Sequence, residues 1–230
     1  MGRRLKGVRL DSGDLAYLTK EVRRMLDAAG LEDCRIVASN SLDEYSISSI
    51  IDQGGCIDAF GVGERLITSS SDPVFGGVYK IAALERDGTV VPKIKVSETV
   101  EKITNPGRKA VYRVYDSTGH ATADLITHDY EEVDLSEPYR CIDTVRPWKD
   151  VVLTDCTAKP LLRKVVSMGE RVAPFVPLEE IRSHVRRQLS DEIWEEEQRF
   201  ENPHVHRMDM SPSYYSDKME LLRKSQGSGQ

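Results

Sequence analysis

Gly7-Val8-Arg9-Leu10-Asp11-Ser12-Gly13-Asp14-Leu15 opens on a short run of buried-strand character, turns through Asp-Ser-Gly and enters a helix. Working outward from it, Lys6 to Leu10 reads as a strand. Leu15, Leu18, Val22, Met25 and Leu26 then fall on one helical stripe that Gly30 closes. Arg35-Ile36-Val37-Ala38 has the apolar character of a second strand. Ser41 and Glu44 stand at capping-box spacing before a helix through Tyr45, Ile47, Ile50 and Ile51, which Gly54-Gly55 ends. Ile57 to Val62 makes a third strand. Strand, helix, strand, helix, strand is the order of parallel β/α units, so the fold class is α/β.

In such units ligands bind beyond the carboxyl ends of the strands. Three polar, small-residue loops occupy those places. In the first, Ser12 and Gly13 lead into a helix amino terminus, whose free N–H groups and positive dipole end suit an anion. There Arg9 can add a charge-assisted bond to phosphate, and Asp11 can accept from ribose hydroxyls or help to hold Mg²⁺. The second loop carries Ser39 and Asn40. In the third, Gly61-Val62-Gly63-Glu64-Arg65, the glycines allow a phosphate to approach the backbone closely.

Downstream the period shortens to two. Strands are expected at Val78 to Leu84, Val90 to Ser97, Ala110 to Tyr115 and Ala121 to Thr127, with turn chemistry at Arg86-Asp87-Gly88 and Asp116-Ser117-Thr118-Gly119. After Pro177, residues Leu178, Ile181, Val185, Leu189 and Ile193 describe one long amphipathic helix ended by Asn202-Pro203, and Ser211-Pro212 starts a last one. The expected organisation is a partial α/β-barrel segment at 1–77, an antiparallel β segment at 78–135, a C-terminal region with long helices at 136–226 and a disordered tail at 227–230. Trp148 and Trp194 are expected to be packing residues. The charges of Arg182, Arg186, Arg187 and Glu195-Glu196-Glu197 read as a solvated helix face, as do Glu98, Glu101 and Lys102.

Composition narrows the partners. With 39% apolar and 30% charged residues the 230-residue chain has an ordinary globular mixture, and its net charge of −6 gives no footprint for nucleic acid. A small molecule is the expected partner, and no apolar run is long enough for a membrane span. Cys34, Cys56, Cys141 and Cys156 lack zinc-site spacing and read as reduced thiols of a cytoplasmic protein. The strand that follows Met1 so closely suggests a truncated start.

Four blocks carry a specific likeness: Gly7 to Leu15, Ala38 to Tyr45, Phe60 to Thr68 and Val74 to Lys80. With the further block Lys102 to Lys109, they resemble, in order, consecutive segments of the nicotinate phosphoribosyltransferases. The likeness runs on to Asn202-Pro203-His204 and covers about the second half of the family's pattern. It implies an incomplete α/β barrel with a second, mixed α/β domain, working as a homodimer. It also implies transfer of the phosphoribosyl group of phosphoribosyl pyrophosphate (PRPP) to nicotinate with Mg²⁺, coupled to hydrolysis of ATP as co-substrate, in NAD salvage. On that basis Arg9 and Asp11 are the expected catalytic pair, Asp11 touching ribose or metal. Ser12, Gly13, Ser39, Asn40, Gly61, Gly63 and Arg65 are expected to hold PRPP and its phosphates. The family's nicotinate-contacting blocks and its phosphorylated histidine have no counterpart here, so the chain alone is expected to be inactive. His120, His128, His184, His204 and His206 are each read as surface or strand residues. Glu64 departs from the small hydroxyl residue common in the family. A nicotinamide phosphoribosyltransferase-like enzyme and a non-catalytic phosphate-binding or dimerisation remnant remain as alternatives.

Overall fold

The computed structural model describes residues 5–74, 76–99 and 102–227. The chain forms two compact units, Met1–Val78 and Tyr79–Gln230. The last three tail residues and Glu101 lie outside the described residues.

The first unit is a parallel sheet of β1 (Gly7–Leu10), β2 (Arg35–Ser39) and β3 (Ala59–Gly61) in that order, connected by α1 (Leu15–Ala28) and α2 (Glu44–Asp52). A short α3 (Glu64–Ile67) follows. Asp14 caps α1 by accepting from the Tyr17 N–H at 3.0 Å, and Gly30 leaves the helix at φ 68°. The buried face of α1 is Leu15, Ala16, Thr19 and Leu26, whereas Met25, expected on that stripe, is exposed. Ala38, Leu42 and Ile50 close one core with Leu15 and Ala16, and Cys34 and Ile36 close another with Leu26. Thr19, fully buried, satisfies its hydroxyl by donating to Leu15 O at 2.7 Å and accepting from the Cys56 N–H.

The capping box of α2 is displaced by two residues from its expected place. Asp43 and Ser46 make the reciprocal bonds, with Asp43 extended at φ −140°. Ser41 stands at φ 47°, in the left-handed region, and cannot present the extended backbone an N-cap requires.

In the second unit β4 (Ala83–Arg86) and β5 (Thr89–Pro92) form a hairpin. Asp87 and Gly88 both have positive φ at its turn, the pair a type I′ turn demands. The first expected strand is displaced, only Ala83 and Leu84 of it lying in β4, and the second is cut to its first residues, although Lys93 N–H still donates to Ala82 O at 2.8 Å. The main sheet runs β10-β6-β7-β13-β8-β9, with β6 (Lys109–Tyr115), β7 (Ala121–His128), β8 (Tyr139–Asp143), β9 (Asp150–Leu153), β10 (Thr157–Pro160) and β13 (Met208–Met210). All its pairings are antiparallel except β13 with β7. Thus strands on either side of residue 135 share one sheet. Asp116 organises the β6–β7 turn, its Oδ1 accepting from the N–H groups of Thr118 and His120. Val114, Leu125, Cys141, Val151 and Leu153 form the core on this sheet, and a second cluster joins Ile126, Met210 and Tyr214.

A small hairpin, β11 (Val166–Ser167) and β12 (Glu170–Arg171), precedes α4 (Leu178–Arg187). The α-helix stops well short of Ile193. It loosens into a π turn at Gln188–Glu192, where Ser190 donates back to Arg187 O and the Gln198 amide donates to the carbonyls of Leu189 and Ile193. Of the tryptophans, Trp148 is exposed rather than packed, and Trp194 stacks on His120 at 4.0 Å. The last helix, α5 (Pro212–Gly227), starts at Ser211-Pro212 as its sequence indicates, with Ser211 Oγ accepting from the Tyr214 N–H.

Candidate functional site

The carboxyl ends of β1, β2 and β3 lie side by side because the strands are parallel, and Leu10 pairs with Ala38 while Ser39 pairs with Gly61. Three of the expected residues meet there. Arg9 donates through Nε to Ser39 Oγ at 2.8 Å and through Nη2 to Asp11 Oδ2 at 2.8 Å, and Ser39 Oγ donates to Asp11 Oδ1 at 2.5 Å. The Ser39 hydroxyl, then the Arg9 guanidinium, hold the Asp11 carboxyl below the usual carboxylate range. The pair is open to solvent, 64% for Arg9 and 55% for Asp11, so the triad is an accessible constellation of a cation, a carboxylate and a hydroxyl.

The remaining candidates surround it unevenly. Asn40 follows Ser39 at φ 108°, and with Ser41 makes two consecutive left-handed residues that turn the chain sharply away from β2. A Cβ on Gly61 would sit 3.4 Å from the Ser39 Cβ, while one on Gly63 would meet nothing within 4 Å. Ser12 is exposed, and Gly13 adopts φ 78°. The amino end of α1 is already partly occupied by its own cap, Asp14. Arg65 points elsewhere: its guanidinium pairs with the Asp43 carboxylate, which the Ser46 N–H chiefly, with Arg65 adding to it, holds below its ordinary range. Arg65 and Asp43 instead line a cavity of about 290 Å³ with Ile47, Val62, Leu66 and Ser69. Among the described residues no group of three or more His, Cys, Asp or Glu side chains could hold a metal.

The second unit contains a charged cluster that periodicity does not disclose. Arg113 and Asp124, register partners on β6 and β7, form a bidentate pair at 2.9 and 3.0 Å. His206 Nδ1 faces Glu197 at 3.1 Å, and its Nε2 lies 3.5 Å from Asp124 Oδ1, an ion-pair contact rather than an aligned hydrogen bond. Burial pushes the Asp124 carboxyl up, but His206 and Arg113 overcome it and leave it at about 2. Asp124, against burial and with Glu197's help, raises the His206 imidazole above its ordinary value. His206 is therefore neither a surface nor a strand residue.

Residues 108–218 match the family model described as the nicotinate phosphoribosyltransferase C-terminal domain. A nicotinate phosphoribosyltransferase of Bacillus subtilis is 39% identical over 95% of this chain and 44% of its own length. Over most of its own length the chain is similar to nicotinate phosphoribosyltransferases. The corresponding protein of Caenorhabditis elegans is 34% identical over 94% of the chain and 39% of its own length. Among solved structures, human nicotinic acid phosphoribosyltransferase superposes with a TM-score of 0.71 at 26% identity, covering 96% of this chain and 41% of that one. The chain thus spans less than half the length of these nicotinate phosphoribosyltransferases, and the family-model match lies wholly within the second unit.

Proposed function

We propose that this chain supplies the PRPP-binding loops of a nicotinate phosphoribosyltransferase, which converts nicotinate and PRPP to nicotinate mononucleotide and pyrophosphate. The observation that carries this reading is the Arg9–Asp11–Ser39 constellation at the carboxyl ends of adjacent parallel strands. In this reading the three strands belong to an incomplete α/β barrel, and the complete enzyme is a homodimer that uses ATP as co-substrate. These features rest on the family resemblance.

Phosphoribosyl transfer needs little covalent chemistry from the protein. The ribose gains oxocarbenium character as pyrophosphate departs, so positioning and charge neutralisation supply most of the acceleration. Arg9, exposed and fixed at two of its nitrogens, neutralises the departing pyrophosphate. Ser39 holds both Arg9 and Asp11 in place, and the ionised Asp11 accepts from ribose hydroxyls. The open space at Gly63 lets the 5′-phosphate reach backbone N–H groups of the third loop, and Asn40 lines the ribose side. A single exposed carboxylate suits Mg²⁺, which commonly takes one or two protein carboxylates and completes its shell with substrate phosphates and water. Asp11 would hold it, and the ion would offset charge on the pyrophosphate.

Titrating PRPP and Mg²⁺ into this chain calorimetrically tests the reading, with nicotinate mononucleotide formation followed in parallel for nicotinate and for nicotinamide. Arg9→Ala should weaken PRPP at least about tenfold, as loss of a charge-assisted phosphate contact does. PRPP binding that is absent at millimolar concentration, or unchanged in Arg9→Ala, would refute it. A preference for nicotinamide would move the chain to the sibling activity.

A further inference from the structure

The third loop of the first unit is held by different means along its length. Phe60 and Val62 pack on the core of Leu15, Ala38, Leu42 and Ile50, so the chain as far as Val62 is fixed by burial. Beyond Gly63 that support ends. α3 buries none of its four residues, with Leu66 69% and Ile67 84% exposed, and Gly63 gives it no side-chain cap. Its internal bonds, from the Leu66 and Ile67 N–H groups to Gly63 O and from the Thr68 N–H to Glu64 O, close little more than one turn, and so short a helix is not stable by itself. Close packing against α2 does not make up the difference. A cavity of about 290 Å³ stands there, with Asp43, Glu44 and Ile47 on one side and Val62, Arg65 and Leu66 on the other.

The Arg65 guanidinium spans that gap to Asp43 Oδ2. Asp43 is itself locked at the head of α2: its Oδ1 accepts from the Ser46 N–H at 2.8 Å, and its own N–H donates to Ser46 Oγ at 2.9 Å. It follows the left-handed pair Asn40 and Ser41, so one carboxylate joins the second loop, α2 and the third loop. The Asp43 side chain is 18% exposed and that of Arg65 44%, and a pair this open adds little to overall stability. What it governs is where the third loop stands. Position matters more than charge here, because Arg65 is matched by Asp43 and Glu64 is an exposed carboxylate, so the loop brings no surplus cation to a phosphate. Its backbone N–H groups are what it offers, and these bind an oxyanion only when they are aligned on it.

We propose that Asp43 is a positioning residue for the 5′-phosphate of PRPP: by holding Arg65 it fixes the third loop where the backbone can receive that phosphate. Asp43 acts through Arg65 and does not touch the substrate. The inference rests on the PRPP reading and adds to it a residue outside the Arg9–Asp11–Ser39 constellation.

Calorimetric titrations of PRPP and of inorganic pyrophosphate into the intact chain test it. Asp43→Asn keeps an N-cap, since asparagine caps about as well as aspartate, and removes the ion pair. It should weaken PRPP about fivefold to tenfold and leave pyrophosphate, which Arg9 serves, within about twofold of the parent. Arg65→Gln should do the same from the other side, and Arg65→Lys, which can keep the ion pair, should recover most of the affinity. The double variant Asp43→Asn/Arg65→Gln should bind no more weakly than either single one, because both changes break one contact. A parent chain that binds no PRPP would overturn the PRPP reading and this inference together. Where the parent binds, the inference alone is overturned by unchanged PRPP affinity in Asp43→Asn, by an equal loss of pyrophosphate affinity, or by additive losses in the double variant, which would mean that Arg65 touches the phosphate itself.

Discussion

Replacing Asp124 by asparagine should destabilise the second unit by about 2 to 3 kcal/mol at pH 5 to 6. The carboxyl titrates at about 2 in the fold against an ordinary 3.8, and its side chain is 14% exposed. At about 1.4 kcal/mol per tenfold change in proton affinity this amounts to about 2.4 kcal/mol. The other partner sets an upper bound, since Arg113, 21% exposed, would be left without its carboxylate, a loss that costs about 3 to 5 kcal/mol only where burial is complete. The sign of the pH dependence is set by two opposite displacements. Asp124 is depressed, so its contribution is full above about pH 4 and vanishes as pH falls through about 2. His206 is raised, so its contribution is full below its unfolded value near 6.5 and is lost as pH rises through the higher folded value. Stability of this unit should therefore be greatest between about pH 4 and 6.5 as far as the cluster decides it. Both tryptophans, Trp148 and Trp194, belong to the second unit, so urea titrations followed by tryptophan fluorescence report on it selectively. With a slope of about 2 kcal/mol per molar urea, the midpoint should fall by about 1 M in Asp124→Asn. His206→Gln should remove the loss on the alkaline side and shrink, without abolishing, the loss on the acid side, because Arg113 still holds the Asp124 carboxyl down. A midpoint within 0.2 M of the parent, on the order of 0.4 kcal/mol, together with unchanged pH dependence in both variants, would refute the electrostatic argument.

Asp43→Ala should cost about 1 kcal/mol of the first unit's stability by removing the cap of α2, and it should also free Arg65; far-ultraviolet circular dichroism during thermal unfolding would register it. Leu125→Ala removes a fully buried side chain from the centre of the six-stranded sheet and should cost about 2 to 5 kcal/mol in urea denaturation. A thiol reagent at pH 8 should modify Cys56 and Cys156, which are partly accessible, well before Cys34 and Cys141; burial, with Asp209 beside it, pushes the Cys141 thiol far up, and early labelling of Cys141 followed by mass spectrometry would contradict its packing.

The first seventy residues are readable because their signals are local. Apolar stripes, glycine stops and the Asp-Ser-Gly turn act within a few residues, and the parallel order β1-β2-β3 follows from the alternation of strand and helix. The capping box misleads because Ser41 has the right chemistry but a left-handed backbone, which spacing alone does not reveal. Arg9, Asp11 and Ser39 can each be nominated from their loops. Their mutual hydrogen bonds depend on β1 and β2 lying in register across 28 to 30 residues of chain. The strands from β8 onward are four or five residues long at most and lack a sustained alternation. β13 is only three residues, and its strand character exists because β7 and β8 supply both its neighbours. His206 is silent in the sequence because Glu197 and Asp124 reach it only after the chain between residues 124 and 206 has folded back.

The position of β13 also bears on how the molecule is made. β6 with β7, and β8 with β9, are local hairpins that can zip as soon as they leave the ribosome, yet in the finished sheet they do not touch each other directly. The three residues Met208–Met210, arriving some eighty residues after β7, are the keystone between them. Until they are delivered, each hairpin exposes an unpaired edge, and closing so long a loop is slow. The interval between synthesis of β9 and capture of β13 is thus the time at which this unit is most exposed to chaperones, proteases and its own nascent neighbours, and a stop codon before residue 208 would leave β10-β6-β7 and β8-β9 as two pieces with nothing to join them.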